Sequence, residues 1–170
     1  GVDDFADFPI PYVCIGTDLL RGEMVEMNSG DLSSAMRASM AIPSVFTPVI
    51  RDTNHILVDG GVLRNFPVQE AIDMGADIII GVLVSDDLNT EDDLGTMIDV
   101  LTQSAFIMSV FDTREQTSLC DLFFQPDMTG YGTYSFKSGK EIIARGEAAA
   151  TAQLSSLDSL AQIQRSFGHE

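Results

Sequence analysis

Residues 77–85 read Asp-Ile-Ile-Ile-Gly-Val-Leu-Val-Ser. An unbroken, largely β-branched run predicts a strand covered on both faces, and such strands belong to mainly parallel sheets with helices above and below. The segments on either side fit an α/β chain. Pro67 opens a short helix that ends at Gly75, with proline near its start and glycine past its end. Thr90 with Asp93 three residues on has the spacing of a capping box, and predicts a long helix running to about Ser118. Leu122–Gln125 predicts a short strand and 126–136 a loop. From 138 to 167 the pattern is helical, with Leu154, Leu157, Leu160, Ile163 and Phe167 forming one buried stripe.

Upstream the punctuation is equally regular. Tyr12–Gly16 and Glu23–Met27 read as strands about a turn at Arg21-Gly22. Asn28-Ser29-Gly30-Asp31 supplies capping residues for a helix over Leu32–Ala41, which Pro43 ends. Phe46–Ile50 and Ile56–Val58 form a hairpin through Arg51–His55, and Asp59-Gly60-Gly61 follows at once.

Composition bounds the function. A chain of 170 residues holds one domain or a large piece of one. Its 45% hydrophobic and 21% charged residues are ordinary for a globular protein. Nine Lys and Arg against 26 Asp and Glu give a net charge of −17, which repels phosphate backbones. No nucleic-acid partner is expected, and any lipid contact has to be apolar or local. Cys14 and Cys120 are too few for a disulfide scaffold and lack metal-ligand spacing, and His55 and His169 build no zinc site alone. Neither metal nor cofactor is expected. There is no apolar run of membrane-spanning length, and the start resembles no signal peptide. The chain opens on Gly1 rather than methionine, so it is expected to be part of a larger protein.

Several chemical motifs are missing. No two of the fourteen glycines stand four apart, so no Gly-x-Ser-x-Gly elbow exists; Gly130-x-Gly132 lacks the third glycine of a dinucleotide fingerprint, because Ser135 stands there. The acidic stretch Asp86, Asp87, Glu91, Asp92 and Asp93 lacks calcium-loop spacing, and reads as a solvated loop with anions at a helix start. Ser29 reads as cap chemistry rather than a nucleophile. His55 at a hairpin tip reads as a surface residue. Asp59 ends a strand and is followed by two glycines that permit tight turning and close approach. Held near apolar residues there, its carboxylate would be desolvated and more basic, as a general base requires. The other reading is an aspartate bonding its own turn.

The ordered stretches Ala38-Ser39-Met40-Ala41-Ile42-Pro43-Ser44-Val45-Phe46, Leu57-Val58-Asp59-Gly60-Gly61, Asn65-Phe66-Pro67-Val68 and Met74-Gly75-Ala76-Asp77 resemble patatin-like phospholipases, as do Pro9-Ile10-Pro11-Tyr12, Thr17-Asp18 and Gly22-Glu23. The resemblance is dense over 9–85 and weaker beyond. It implies a three-layer α/β/α fold and a lipid acyl hydrolase working through a Ser–Asp dyad. Asp59 would be the dyad aspartate, with Gly60 and Gly61 as the active-site loop. The serine elbow and oxyanion loop would precede Gly1. Residues 1–170 would then be the C-terminal portion of a single patatin-like domain, with N-terminal strands missing. Such a fragment is expected to be inactive alone and to self-associate through an unpaired sheet edge. The rival expectation is a non-catalytic patatin-fold domain for binding or assembly. Phe46-Thr47-Pro48-Val49, Arg64-Asn65-Phe66-Pro67 and Gln125-Pro126-Asp127 resemble bacterial members whose patatin domain precedes a membrane barrel. That places the parent in the periplasm or at the outer membrane, and otherwise in the cytoplasm.

Overall fold

The computed structural model describes residues 3–84, 88, 91, 94–132 and 135–167. It is a mixed α/β structure with two sheets. The larger has four strands in the order β2-β1-β4-β3, from β1 (Cys14–Asp18), β2 (Glu23–Met27), β3 (Val49–Asp52) and β4 (His55–Asp59). The smaller pairs β5 (Ile80–Val82) with β6 (Leu122–Phe124). Helix α1 (Leu32–Ser39) packs on the larger sheet. Helices α2 (Val68–Asp73) and α3 (Met97–Thr117) follow, then α4 (Gly139–Ala152) and α5 (Leu154–Phe167).

Two local hairpins build the larger sheet. β1 and β2 meet about a turn that Gly22 closes at a φ of 67°, a conformation glycine takes without Cβ strain. β3 and β4 meet about Thr53-Asn54, with an irregularity between Ile50 and Asp52. β1 then joins β4, setting Gly16 opposite Asp59 and Asp18 opposite Leu57. β1 is buried along its whole length. Phe5, Cys14, Met27, Ala35, Ala38 and Leu57 form the core between this sheet and α1. The outer strands carry Glu23 and Glu26 on β2, and Arg51, Asp52 and the irregularity on β3, features that discourage further pairing.

The expectation of a mainly parallel sheet holds only for β5 and β6, which pair in parallel; the other three pairings are antiparallel. Of the strand read over 77–85, the described residues form Ile80–Val82, and Ile80 and Val82 are exposed rather than covered on both faces; among the described residues β6 alone pairs with it. A capping box forms at Thr96 and Asp99, at the start of α3; Thr90 and Asp93, where the sequence spacing placed one, lie outside the described residues. The helical stretch after 138 breaks into α4 and α5 at Gln153, whose side chain instead donates to the Phe123 carbonyl at 3.0 Å. Leu154 and Ile163 of the expected buried stripe are exposed and Leu157 and Leu160 only half-buried.

Candidate functional site

Asp59 ends β4, a central strand flanked by antiparallel neighbours. Its main chain is fixed by an N–H bond to the Ala41 carbonyl at 3.0 Å, just past α1. Beyond it the chain makes a single 3-10 turn over Gly60–Val62, closed by the N–H groups of Leu63 (3.0 Å) and Arg64 (2.8 Å) donating to the Gly60 carbonyl. The side chain is half-buried, and its Oδ1 accepts the Gly61 N–H at 2.8 Å. No described residue donates to Oδ2. Burial raises the Asp59 pKa, and the Gly61 N–H bond only partly opposes this. The turn bond and the raised basicity expected from the sequence are both present.

The two glycines have different neighbours. A Cβ on Gly60 would lie 2.4 Å from the Ile15 carbonyl oxygen, so β1 comes as close to the turn as an absent side chain allows. A Cβ on Gly61 would lie 2.8 Å from Asn65 Oδ1 and from the Phe106 ring of α3, and 3.0 Å from Asp59 Oδ1. Helix α3 therefore roofs the turn. Arg64 ties these pieces together: its Nη1 donates to Glu70 Oε1 (2.9 Å) and Oε2 (3.2 Å) on α2, and its Nε lies 3.0 Å from Asp112 Oδ2 on α3, a charge contact without hydrogen-bond geometry.

Sequence reasoning missed a second cluster at the opposite end of the β1–β4 pair. The Asp18 side chain is fully buried, takes the Leu20 N–H and Arg21 Nη1 and meets His55 Nδ1, each at 2.8 Å. Burial pushes the Asp18 pKa up, but these contacts outweigh it and hold the group at about 2. His55 Nδ1 also lies 2.9 Å from Arg21 Nη1, so its role as donor or acceptor is set by its tautomer. His55 is thus half-buried and pinned, not a free surface residue, although it does lie at the hairpin as expected. Asp18 is 37 positions from His55, and no local pattern links them.

Ser29 is exposed, and Asp31 rather than Ser29 caps α1, accepting the Ser34 N–H. Ser29 lines a cavity of about 280 Å³ beside α1, with Met27, Ser34, Val49 and Arg51; Asp59 does not line it. Among the described residues no group of three or more His, Cys, Asp or Glu could hold a metal ion, and no helix is long and apolar enough to cross a membrane. Asp86, Asp87, Asp92, Asp93 and His169 lie outside the described residues.

The family model described as patatin-like phospholipase matches residues 12–72, the stretch that builds the larger sheet and the Asp59 turn. An uncharacterized NTE family protein of Mycobacterium bovis is 43% identical over 74 residues, covering 44% of this chain and 20% of that protein. Lysophospholipase nte1 of Aspergillus fumigatus is 26% identical over 174 residues, covering 87% of this chain and 11% of that protein. Patatin-like phospholipase domain-containing protein 7 of Mus musculus is 34% identical over 77 residues, covering 45% of this chain and 6% of that protein. The chain spans a fifth or less of the length of these curated relatives.

Proposed function

We propose that this patatin-like chain, residues 1–170, is the C-terminal portion of a lipid acyl hydrolase domain and that Asp59 is its general base. The observation that supports this most is the Asp59 carboxylate itself: desolvated, oriented through Oδ1 by one N–H, and with no donor to Oδ2 among the described residues. A turn aspartate needs only the first bond. The match over 12–72 and the lysophospholipase relative support the substrate class, an ester of a lipid.

In this reading a serine from upstream of Gly1 gives its Oγ proton to Asp59 as Oγ attacks the ester carbonyl carbon. The tetrahedral oxyanion collapses, the ester C–O bond breaks, and the leaving alkoxide takes the proton back from Asp59. Asp59 then accepts a proton from water as the water oxygen attacks the acyl-enzyme, and the serine oxygen departs with that proton. The upstream glycine-rich loop would supply N–H donors to the oxyanion. Gly60 and Gly61, the active-site loop of this reading, keep the turn slim enough for β1 and α3 to close on it and hold Asp59 in place.

Asp59→Asn in the longer protein should lower p-nitrophenyl butyrate turnover about 100-fold or more, the scale of losing a general base, while leaving the fold intact. Near-normal turnover would reduce Asp59 to a turn residue and favour a non-catalytic binding or assembly domain. The 170-residue chain alone should show no turnover; activity abolished by Ser29→Ala would move the nucleophile inside it.

A further inference from the structure

Helix α3 turns an unusual face to the Asp59 turn. Its buried residues are Ser109, Thr113 and Gln116, three or four apart and all polar, whereas Met97, Leu101, Met108 and Phe111 are exposed. Burial of apolar area therefore does little to seat this helix. Specific polar contacts do that work: Gln116 Oε1 accepts the Gln69 N–H at 2.8 Å, and Asp112 meets Arg64.

Building on the reading of Asp59 as the base, we propose that Arg64 and Asp112 are positioning residues, a latch that holds Phe106 of α3 against Gly61 and so shields the Oδ1 side of the Asp59 carboxylate from bulk water, leaving Oδ2 to the reacting groups. Arg64 is suited to this role. Its main chain closes the turn on Gly60, and its planar guanidinium reaches α2 and α3 together.

The latch is not there for stability. Burial pushes the Asp112 carboxyl up, Arg64 pulls it back, and Glu70 and Glu115 push it up again, so its charged form is disfavoured on balance. Two carboxylates, on Glu70 and Asp112, share one guanidinium. In a half-buried ion pair of this kind the cost of desolvation offsets much of the attraction. The charged or titratable groups on the elements packed round the turn are Asp99, Asp112, Arg114 and Glu115 on α3, Glu70 and Asp73 on α2, Asp18 on β1, His55 on β4 and Arg37 on α1, with Arg64 on the turn itself. None of them acts on Asp59 directly, whose carboxyl responds to burial and to the Gly61 N–H. Losing the Asp112 charge can therefore reach Asp59 only through the seating of α3.

The test is carbon-detected NMR titration of Asp59 in the 170-residue chain, beside urea unfolding. Asp112→Asn and Phe106→Ala should each lower the Asp59 midpoint by about half a pH unit or more, as water reaches the carboxylate. In Asp112→Asn the urea midpoint should hold or rise. Arg64→Lys, which keeps the charge but not the fork, should reproduce the titration shift and serves if Asp112→Asn fails to fold. An unchanged Asp59 midpoint in a folded Asp112→Asn or Arg64→Lys chain overturns the proposal. So does a lowered urea midpoint in Asp112→Asn with the titration unmoved. These readouts need no ester turnover, so a failed latch and a failed assignment of the base are told apart.

Discussion

The larger sheet with α1 and the part of the chain from Phe66 onward treat apolar side chains in opposite ways. In the first, Phe5, Met27, Ala38 and Leu57 close a core under the sheet, and Leu57 is only 1% exposed. In the second, Phe66, Val68 and Ile79 form a small cluster, while Met97 is 77% and Met108 67% exposed on α3 and no residue of α4 is buried. The match to the patatin-like family ends at residue 72, close to where this change occurs. A closed apolar core and a polar latch are two ways to hold an element. The first tolerates little loss of volume, and the second little loss of geometry.

The difference can be tested by truncation. Leu57→Ala should destabilise the chain by about 3 kcal/mol, as for a buried leucine that leaves a cavity. Leu101→Ala, on the outward face of α3, should cost less than about 0.5 kcal/mol. Urea unfolding measures both. Equal losses would mean that α3 is covered in solution and that the contrast between the two regions is false.

Gly60 and Gly61 sharpen it within a single turn, since Gly60 faces β1 and Gly61 faces α3. Gly60→Ala drives Cβ into the Ile15 main chain, which has no rotamer by which to yield, and should cost about 2 kcal/mol. Gly61→Ala meets the ends of the Asn65, Phe106 and Asp59 side chains, which can turn aside, and should cost less than about 1 kcal/mol. Thermal melts of the pair give the order, and a reversed order would break the comparison.

Acid should separate the regions by a smaller effect. Asp18 in the sheet is held at about 2, below its ordinary 3.8, so it stabilises the fold above 3.8 and that support is lost as pH falls through about 2. Asp112 on α3 is raised, so its ionisation weakens the fold as pH rises above 3.8 and the weakening is relieved on acidification. Amide exchange between about pH 5 and pH 2 should show the sheet loosening while α3 keeps its seat. Asp18→Asn should flatten the sheet's response; loosening of α3 first would contradict both signs.

Asp59 and its turn were legible because everything that defines them is local: a β-branched run, an acid where it stops, two glycines, and a helix soon after. The β3–β4 hairpin and α1 were legible for the same reason. Helical spacing identified the stripe from Leu154 to Ile163 but could not say what lies against it, and those residues prove half-buried or exposed. On α3 the usual equation of apolar with inward is reversed by Ser109, Thr113 and Gln116. The run at 77–85 misled because β-branched content registers a preference for extended backbone, whereas coverage depends on neighbours supplied by distant sequence. Arg64 with Asp112 and Asp18 with His55 were invisible because each pair forms only when separate elements meet.

The buried charge at one end of the β1–β4 pair has a consequence for the acid at the other. Side chains alternate along a strand, so sliding β4 by one residue against β1 would turn Asp59 toward the opposite face and set a different residue opposite Gly16. Such an error moves His55 by about 3.3 Å along the strand direction, farther than its 2.8 Å bond to Asp18 can stretch. Asp18 would then lose the His55 contact while still enclosed, an outcome far costlier than a mismatched pair of apolar residues. The triad of Asp18, Arg21 and His55 thus works as a proofreading device for strand alignment: only the alignment that satisfies it also delivers Asp59 to the turn.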